Sequence, residues 1–381
     1  MTDNDYHSAT MGGMRATRTI TALAFSAASA LALAGCATTS ASSSSSGADA
    51  TPAGDALQVV ASTNVYGQIV EQLGGDAVEV TSIVTSAAQD PHSYEPSAQD
   101  TLAISNAELI VENGGGYDSF IDALIESSGS EAHVITAVEF SHDYPGGEEH
   151  SDEEHSEDAT AGEDAAVAAE EEHAHAEGEA HAEGEAHAEG EAHTEGEEHS
   201  HGHDHIEGFN EHVWYDPHTI AYVAETIADE LTELRPDDAD VFAANLDAFT
   251  AEIDALEDSL SELASANDGV RVFVTEPVPV YLAAEAGLDN VTPDAFSEAV
   301  EEGQDVPPAT LLESLDLLRA DDVRVVITNT QTGGAETEQV VGEAETLGIP
   351  VIAFSETLPE GETYISWMQA NIAALSDALA E

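Results

Sequence analysis

The sequence predicts an α/β protein of two lobes, each with a parallel sheet flanked by helices, joined by one long rigid helix. Three observations lead there. Short β-branched runs alternate with segments of helical apolar spacing at both ends of the chain, the rhythm of a parallel sheet with crossover helices. One segment, PDDADVFAANLDAFTAEIDALEDSLSELAS, carries Phe242, Leu246, Phe249, Ile253, Leu256, Leu260 and Leu263 at alternating steps of four and three, a single apolar stripe. The 381 residues are 42% hydrophobic, enough for two cores.

Arg15 and Arg18 precede an alanine-rich apolar run that ends in Leu33-Ala34-Gly35-Cys36, too short for a comfortable membrane span. Residues 1–36 therefore resemble a bacterial lipoprotein signal whose cysteine, Cys36, carries lipid. The acidic stretch before Met11 and Met14 is out of character for such a signal and suggests an over-long start. Cys36 is the only cysteine, so no intramolecular disulfide and no cysteine-type zinc site can form. Residues 37–56, beginning ATTSASSSSSGADATPAG, read as a flexible tether. A folded protein held on the outer face of the cytoplasmic membrane is the expectation.

The first lobe, 57–235, starts with the strand LQVVAST and the helix NVYGQIVEQLGG. The strand AVEVTSIV follows, then the helix and buried strand of DTLAISNAELIVENGGG, the helix SFIDALIESS and the strand HVITAV. Residues 142–205 break the pattern into Glu, His, Ala and Gly, with almost nothing apolar to offset the entropy of ordering, so a disordered inserted loop is expected. Order returns at FNEHVWYDPHT and a helix that Arg235-Pro236 ends. The long helix, 236–266, opens on Pro236 with aspartates behind it, as suits a helix N-terminus, and would run on the order of 45 Å at 1.5 Å per residue. The second lobe, 267–381, alternates VRVFVTE, PVYLAAEAGL, PPATLLESLDLLRADD, VRVVITNTQT, AETEQVVGEAETLGI, PVIAFSETL and YISWMQANIAALSDAL as strand, helix, helix, strand, helix, strand and helix.

Six arginines and no lysine stand against 78 acidic residues, a formal charge of -72 that repels phosphate backbones and excludes nucleic acid as a partner. The same field would concentrate cations, or else reflects a surface adapted to a salty or acidic habitat. Twelve of the seventeen histidines lie in the insert. His173, His175, His181, His187, His193, His199, His201, His203 and His205, set among carboxylates, make it a weak, multi-site metal sponge.

Four other places put metal-ligand side chains where the cleft between two α/β lobes would lie. His92 stands in QDPHSYEPSAQD, in a loop stiffened by two prolines. His212 stands in NEHVWYDP. Glu276 ends the apolar strand of VFVTEP, and Glu356 takes the matching place in VIAFSETLPEG, both at a sheet's carboxyl edge, where open α/β sheets bind ligands. Two imidazoles and two carboxylates suit zinc and are acceptable to manganese or ferrous iron. Asp90 and Tyr94 are candidates to orient His92 through hydrogen bonds. His133 reads as a surface or packing residue, and His218 as the first turn of a helix.

DPHSYEPSAQD, EHVWYDP, TEPVPVYLAAEAGL and IPVIAFSETLPEG, in this order and with a His-rich loop between the first two, resemble the zinc/manganese solute-binding lipoproteins of ABC-type metal importers, the cluster A-I proteins. The resemblance spans Leu57 to the end. It implies two α/β lobes on a rigid helix, no catalysis, a monomer, and His92, His212, Glu276 and Glu356 as metal ligands. It further implies delivery to an ABC permease and its ATPase. Glu276 stands where zinc members usually have histidine and manganese members glutamate, and Glu356 where aspartate is usual. The histidine-rich insert decides for Zn²⁺ as the cargo, with Mn²⁺ as the alternative. Protonation of the histidines should weaken binding below about pH 6.5.

Two other functions compete. A secreted zinc-dependent hydrolase would need an open zinc position and a general base, and the sequence has neither an HExxH nor a G-x-S-x-G stretch. A surface metal buffer or adhesin would make the repeat the whole function and the four ordered residues coincidental.

Overall fold

The computed structural model describes residues 56–145, 206, 208–320 and 322–380. Cys36, the tether and the insert histidines from His173 to His205 lie outside the described residues. Residues Ala53–Glu381 form one compact unit.

The first sheet is built from β1 (Leu57–Thr63), β2 (Val78–Val84), β3 (Leu109–Glu112) and β4 (His133–Thr136), all parallel, in the order β2-β1-β3-β4. Its helices are α1 (Asn64–Gly74), α2 (Ala98–Asn106), α3 (Phe120–Ser128) and α4 (Pro217–Leu234). Every residue of β3 is buried, which is why LIVE reads as a continuous apolar run instead of an alternating one. Ser97 opens α2 with a capping box, its hydroxyl accepting from the Gln99 and Asp100 amides while Asp100 accepts from the Ser97 amide.

The bracing helix α5 (Ala239–Asn267) follows a short 3-10 turn, Pro236–Asp238, so Pro236 starts the turn and not the α-helix itself. Phe242, Phe249, Ile253, Leu256 and Leu260 of the predicted stripe are buried, and Leu246 and Leu263 are packed against the same core.

The second sheet repeats the first. β5 (Val270–Val274), β6 (Leu288–Asn290), β7 (Val323–Asn329) and β8 (Val351–Phe354) are parallel, in the order β6-β5-β7-β8. Around them lie α6 (Val280–Glu285), α7 (Asp294–Glu301), α8 (Pro308–Arg319), α9 (Ala335–Leu347) and α10 (Tyr364–Ala380). The sequence reading omits β6 and α7: a three-residue strand and an eight-residue helix are too short for periodicity to declare. The chain turns from α6 into β6 at Gly287, whose φ is +73° and where a Cβ would sit 3.0 Å from Ala264 Cα of α5.

One hydrophobic core runs without a break from Val59 and Ile69 through Phe249 and Leu256 to Val274, Tyr364 and Met368. It therefore crosses both lobes along α5. Hydrogen bonds join them again on the cleft side. Asn64 and Leu358 exchange two, at 2.8 and 3.0 Å; Tyr215 donates to the Ser355 carbonyl at 2.7 Å; Tyr364 donates to the Trp214 carbonyl at 2.9 Å. A shared core with paired polar groups at its rim resists a wide hinge motion. Among the described residues no helix is long and apolar enough to cross a membrane.

Candidate metal centre

The carboxyl ends of both sheets face one buried place, and each end supplies it with side chains. Past β2, Asp90 caps the 3-10 turn Pro91–Ser93: its Oδ1 accepts from the His92 amide at 3.0 Å and its Oδ2 from the Ser93 hydroxyl at 2.7 Å. Asp90 thus fixes the backbone that carries His92, while the Tyr94 hydroxyl turns to Asp100 at 3.0 Å and its ring packs on Phe120. The ring edge beside His92 belongs to Tyr117, with centroids 4.8 Å apart.

Glu211 and His212 sit just before α4, and the interior of the first lobe holds them. Asn113, at the end of β3, donates to the Glu211 carbonyl at 2.9 Å and accepts from Tyr66. The His212 ring lies against Trp214 and Tyr117. Its Nδ1 is 2.7 Å from Asn210 Oδ1. An amide oxygen only accepts, so Nδ1 carries the proton and Nε2 presents its lone pair. Asn210 also reaches across the cleft, donating to the Pro277 carbonyl at 3.0 Å and accepting from Tyr281 at 2.8 Å. We expect Asn210→Ala to weaken metal binding on the order of 10- to 100-fold, because the partner that sets the His212 tautomer and the side-chain bond to Pro277 are lost, while the backbone carbonyl still accepts from Tyr281. Competition against a chromophoric chelator measures it.

In the second lobe Glu276 follows β5 and Glu356 follows β8; both are buried. Asn329, the last residue of β7, donates to Glu276 Oε2 at 2.9 Å and to Glu356 Oε1 at 2.5 Å, and Thr332 also donates to Glu276 Oε2. Tyr117 reaches Glu356 Oε2 at 3.5 Å from the first lobe. Gln331 accepts from the Glu356 and Thr357 amides and pins that loop.

Among the described residues one group brings histidines and carboxylates together with all ligand atoms within 4.8 Å of one another: His92, Glu211, His212 and Glu301. His212 Nε2 lies 3.7 Å from Glu301 Oε1. The structure thus gathers the two predicted histidines with two carboxylates the sequence reading passed over. It holds Glu276 and Glu356 beside them on Asn329, close enough that both repel the Glu301 charge.

The electrostatics are one-sided. Burial, then repulsion by Glu211, Glu276 and Glu356, pushes the Glu301 carboxyl up to about 9. Burial raises Glu356 to about 7, with Glu276 and Asp90 adding to it and Asn329 opposing. Burial raises Glu276, against the hydrogen bonds from Thr332 and Asn329. Three of the described arginines pair elsewhere, Arg235 with Asp238, Arg271 with Asp322, and Arg319 with Asp316 and Glu343. Buried carboxylates gathered around two imidazoles are a divalent-cation donor set.

The other described histidines lie apart: His133 pairs with Glu230 at 2.6 Å on the surface, exposed His142 lies 3.5 Å from Asp143, and half-exposed His218, in the first turn of α4, lies 3.4 Å from Glu257.

Residues 59–378 match the family model of the zinc-uptake complex component A, periplasmic (ZnuA). The chain belongs to the ZnuA family. Among relatives of ZnuA type, the manganese-binding lipoprotein MntA of Halalkalibacterium halodurans is 22% identical over 336 residues, 86% of this chain and 90% of its own. The zinc-binding lipoprotein AdcA of Streptococcus pneumoniae is 25% identical over 328 residues, 84% of this chain and 55% of its own, so the chain spans about half of AdcA. A crystal structure of ZnuA shares the fold at a TM-score of 0.56 and 20% identity, over 85% of this chain and 98% of that one. The periplasmic zinc-binding protein TroA of Treponema pallidum does so at 0.59 and 15%, over 86% and 100%.

Proposed function

We propose that this ZnuA-family protein captures Zn²⁺ between its lobes outside the cytoplasmic membrane and delivers it to an ABC permease driven by a cytoplasmic ATPase. The observation that carries the reading is the convergence of His92 and His212 with carboxylates in one buried place lined from both sheets. His92 and His212 supply the nitrogen donors from the first lobe. Glu276 and Glu356 supply oxygens from the second, with Asn329 holding them in place until the cation arrives. Tyr117, Trp214 and Asn210 set the ring orientations.

The protein transports and does not catalyse. A hydrolytic zinc keeps a coordination position open for water. Here more donors surround the site than a four-coordinate zinc can use, so its sphere fills with protein groups. Cobalt-substituted protein reads this directly: a spectrum insensitive to added anions supports transport, and one that shifts as an exchangeable water is displaced supports hydrolysis.

Zinc is favoured by the paired imidazoles and by the histidine density of the insert. Manganese is the second reading, favoured by Glu276 and the oxygen share of the site. Metal analysis of protein purified without added ions, followed by competition between the two, separates them. The insert collects ions and raises their concentration near the cleft, and Cys36 anchors a monomeric protein to the membrane. Deleting Asp143 to Asp204 should leave one tight site with its affinity within about threefold of the parent, while the number of weak sites counted by calorimetry falls.

A further inference from the structure

Glu301 is the last residue of α7, a short helix held by Phe296 and Val300 in the core of the second lobe. Phe296 stacks edge-on against Phe273 of β5 with centroids 5.3 Å apart, so the end of α7 is fixed relative to the sheet. The Glu301 side chain is only 13% exposed, unusual for an acidic residue at the end of an amphipathic helix. Its Oε1 has no hydrogen-bond donor among the described residues. The charges acting on it, Glu211, Glu276, Glu356 and Glu302, are all negative.

Burying a carboxylate among carboxylates without a donor is costly, and the cost falls when the group takes up a proton or a cation enters. Glu356 differs, because its Oε1 accepts a hydrogen bond from Asn329. Glu276 lies between these cases: Oε2 takes the hydrogen bonds from Asn329 and Thr332, while Oε1, buried, has no donor among the described residues. Two carboxylate oxygens in one buried place therefore wait for a positive partner, and one of them lies 3.7 Å from the metal-facing nitrogen of His212.

We propose that Glu301 is a direct ligand of the captured cation, a specificity-determining one contributed by α7. The proposal deepens the metal-capture reading and rests on it. With Glu301, and Glu211 opposite, the sphere gains oxygen donors beyond the two imidazoles, Glu276 and Glu356. A larger, oxygen-rich sphere serves Mn²⁺, which takes six hard ligands, more than Zn²⁺, which is satisfied by four. Glu301 therefore widens the range of cations the cleft accepts.

The test uses the purified full chain and four variants, Glu301→Gln, Glu301→Asp, Glu345→Gln and His92→Ala, with Zn²⁺ and Mn²⁺ affinities from chelator competition and the visible spectrum of the Co²⁺ form. Glu301→Gln should weaken Mn²⁺ on the order of tenfold more than it weakens Zn²⁺. It should also strengthen the Co²⁺ absorption as the sphere becomes more nearly tetrahedral, and Glu301→Asp should fall between. Exposed Glu345, on α9, removes the same charge without touching the site, so Glu345→Gln should change neither. Equal losses for both metals with an unaltered Co²⁺ spectrum in Glu301→Gln would overturn the proposal and leave metal capture standing. Tight binding retained in His92→Ala would overturn the metal-capture reading itself.

Discussion

Replacing His92 and His212 together by alanine should abolish tight metal binding and leave only the weak binding expected of the insert. Four-ligand zinc sites are worth roughly 10–16 kcal/mol in all, so each ligand carries about 3 kcal/mol, or on the order of 100-fold in affinity. Losing both nitrogens should cost about four orders of magnitude. The structure gives the loss no route to repair. The remaining donors are carboxylates that already repel one another, and His133 and His218 are committed to Glu230 and Glu257 away from the site. Calorimetry with a competing chelator separates the tight component from the weak one. If the variant keeps the tight component, the ordered site is incidental and the histidine repeat is the metal buffer. Folding is checked separately, since His212 lies against Trp214 in the first-lobe core, and circular dichroism must show that the helices survive.

His92 and His212 were legible because their surroundings are constrained. Two prolines around His92, and the apolar Val213-Trp214-Tyr215 after His212, mark positions where the chain cannot wander, and a titratable ring there is informative. The strand ends of Glu276 and Glu356 were legible for a topological reason: in a parallel sheet the carboxyl edge is where side chains converge. Glu301 and Glu211 were not. With 78 acidic residues in 381, one more glutamate in AVEEGQD or beside a histidine carries almost no information. What singles out Glu301 is burial, and its burial depends on how α7 seats on Phe273, a contact between segments that no local pattern encodes. Asn210, Asn329 and Tyr117 escaped for the related reason that a neutral side chain becomes a positioning group only through its partners. The two parallel sheets were implied by the alternating rhythm; their strand order was not, and β6 and α7 fell below the length at which rhythm speaks.

Metal affinity should climb steadily from pH 6 to pH 9, well beyond the range in which histidine alone would act. Imidazole protonation explains a loss of affinity below about pH 6.5 and predicts a plateau above it. The carboxylates move that plateau. At neutral pH Glu301, raised to about 9, holds its proton and Glu356, raised to about 7, holds one about half the time, and a cation must displace them. Each proton released adds up to a tenfold gain in affinity per pH unit, so about one decade per unit is expected between pH 7 and 9.

The same shifts fix the sign of the stability change. A carboxyl whose native pKa lies above its unfolded value keeps a proton that the unfolded chain has already lost. Native protein then binds more protons than unfolded protein, and the stability of the metal-free form falls as pH rises from about 4.5 towards 9. Glu112 and Glu285, each raised to about 8 mainly by burial, act in the same direction whether or not metal is bound. The metal-dependent part is therefore a difference between two curves. Metal-free protein should lose a few kcal/mol more than metal-loaded protein between pH 5.5 and 8.5, because the cation takes over the charge of the ionised site. Thermal unfolding of both forms at each pH measures the difference, and calorimetry in buffers of unlike ionisation enthalpy counts the protons. Parallel curves with no proton release above pH 7 would mean that the carboxylates around His92 and His212 do not meet the cation.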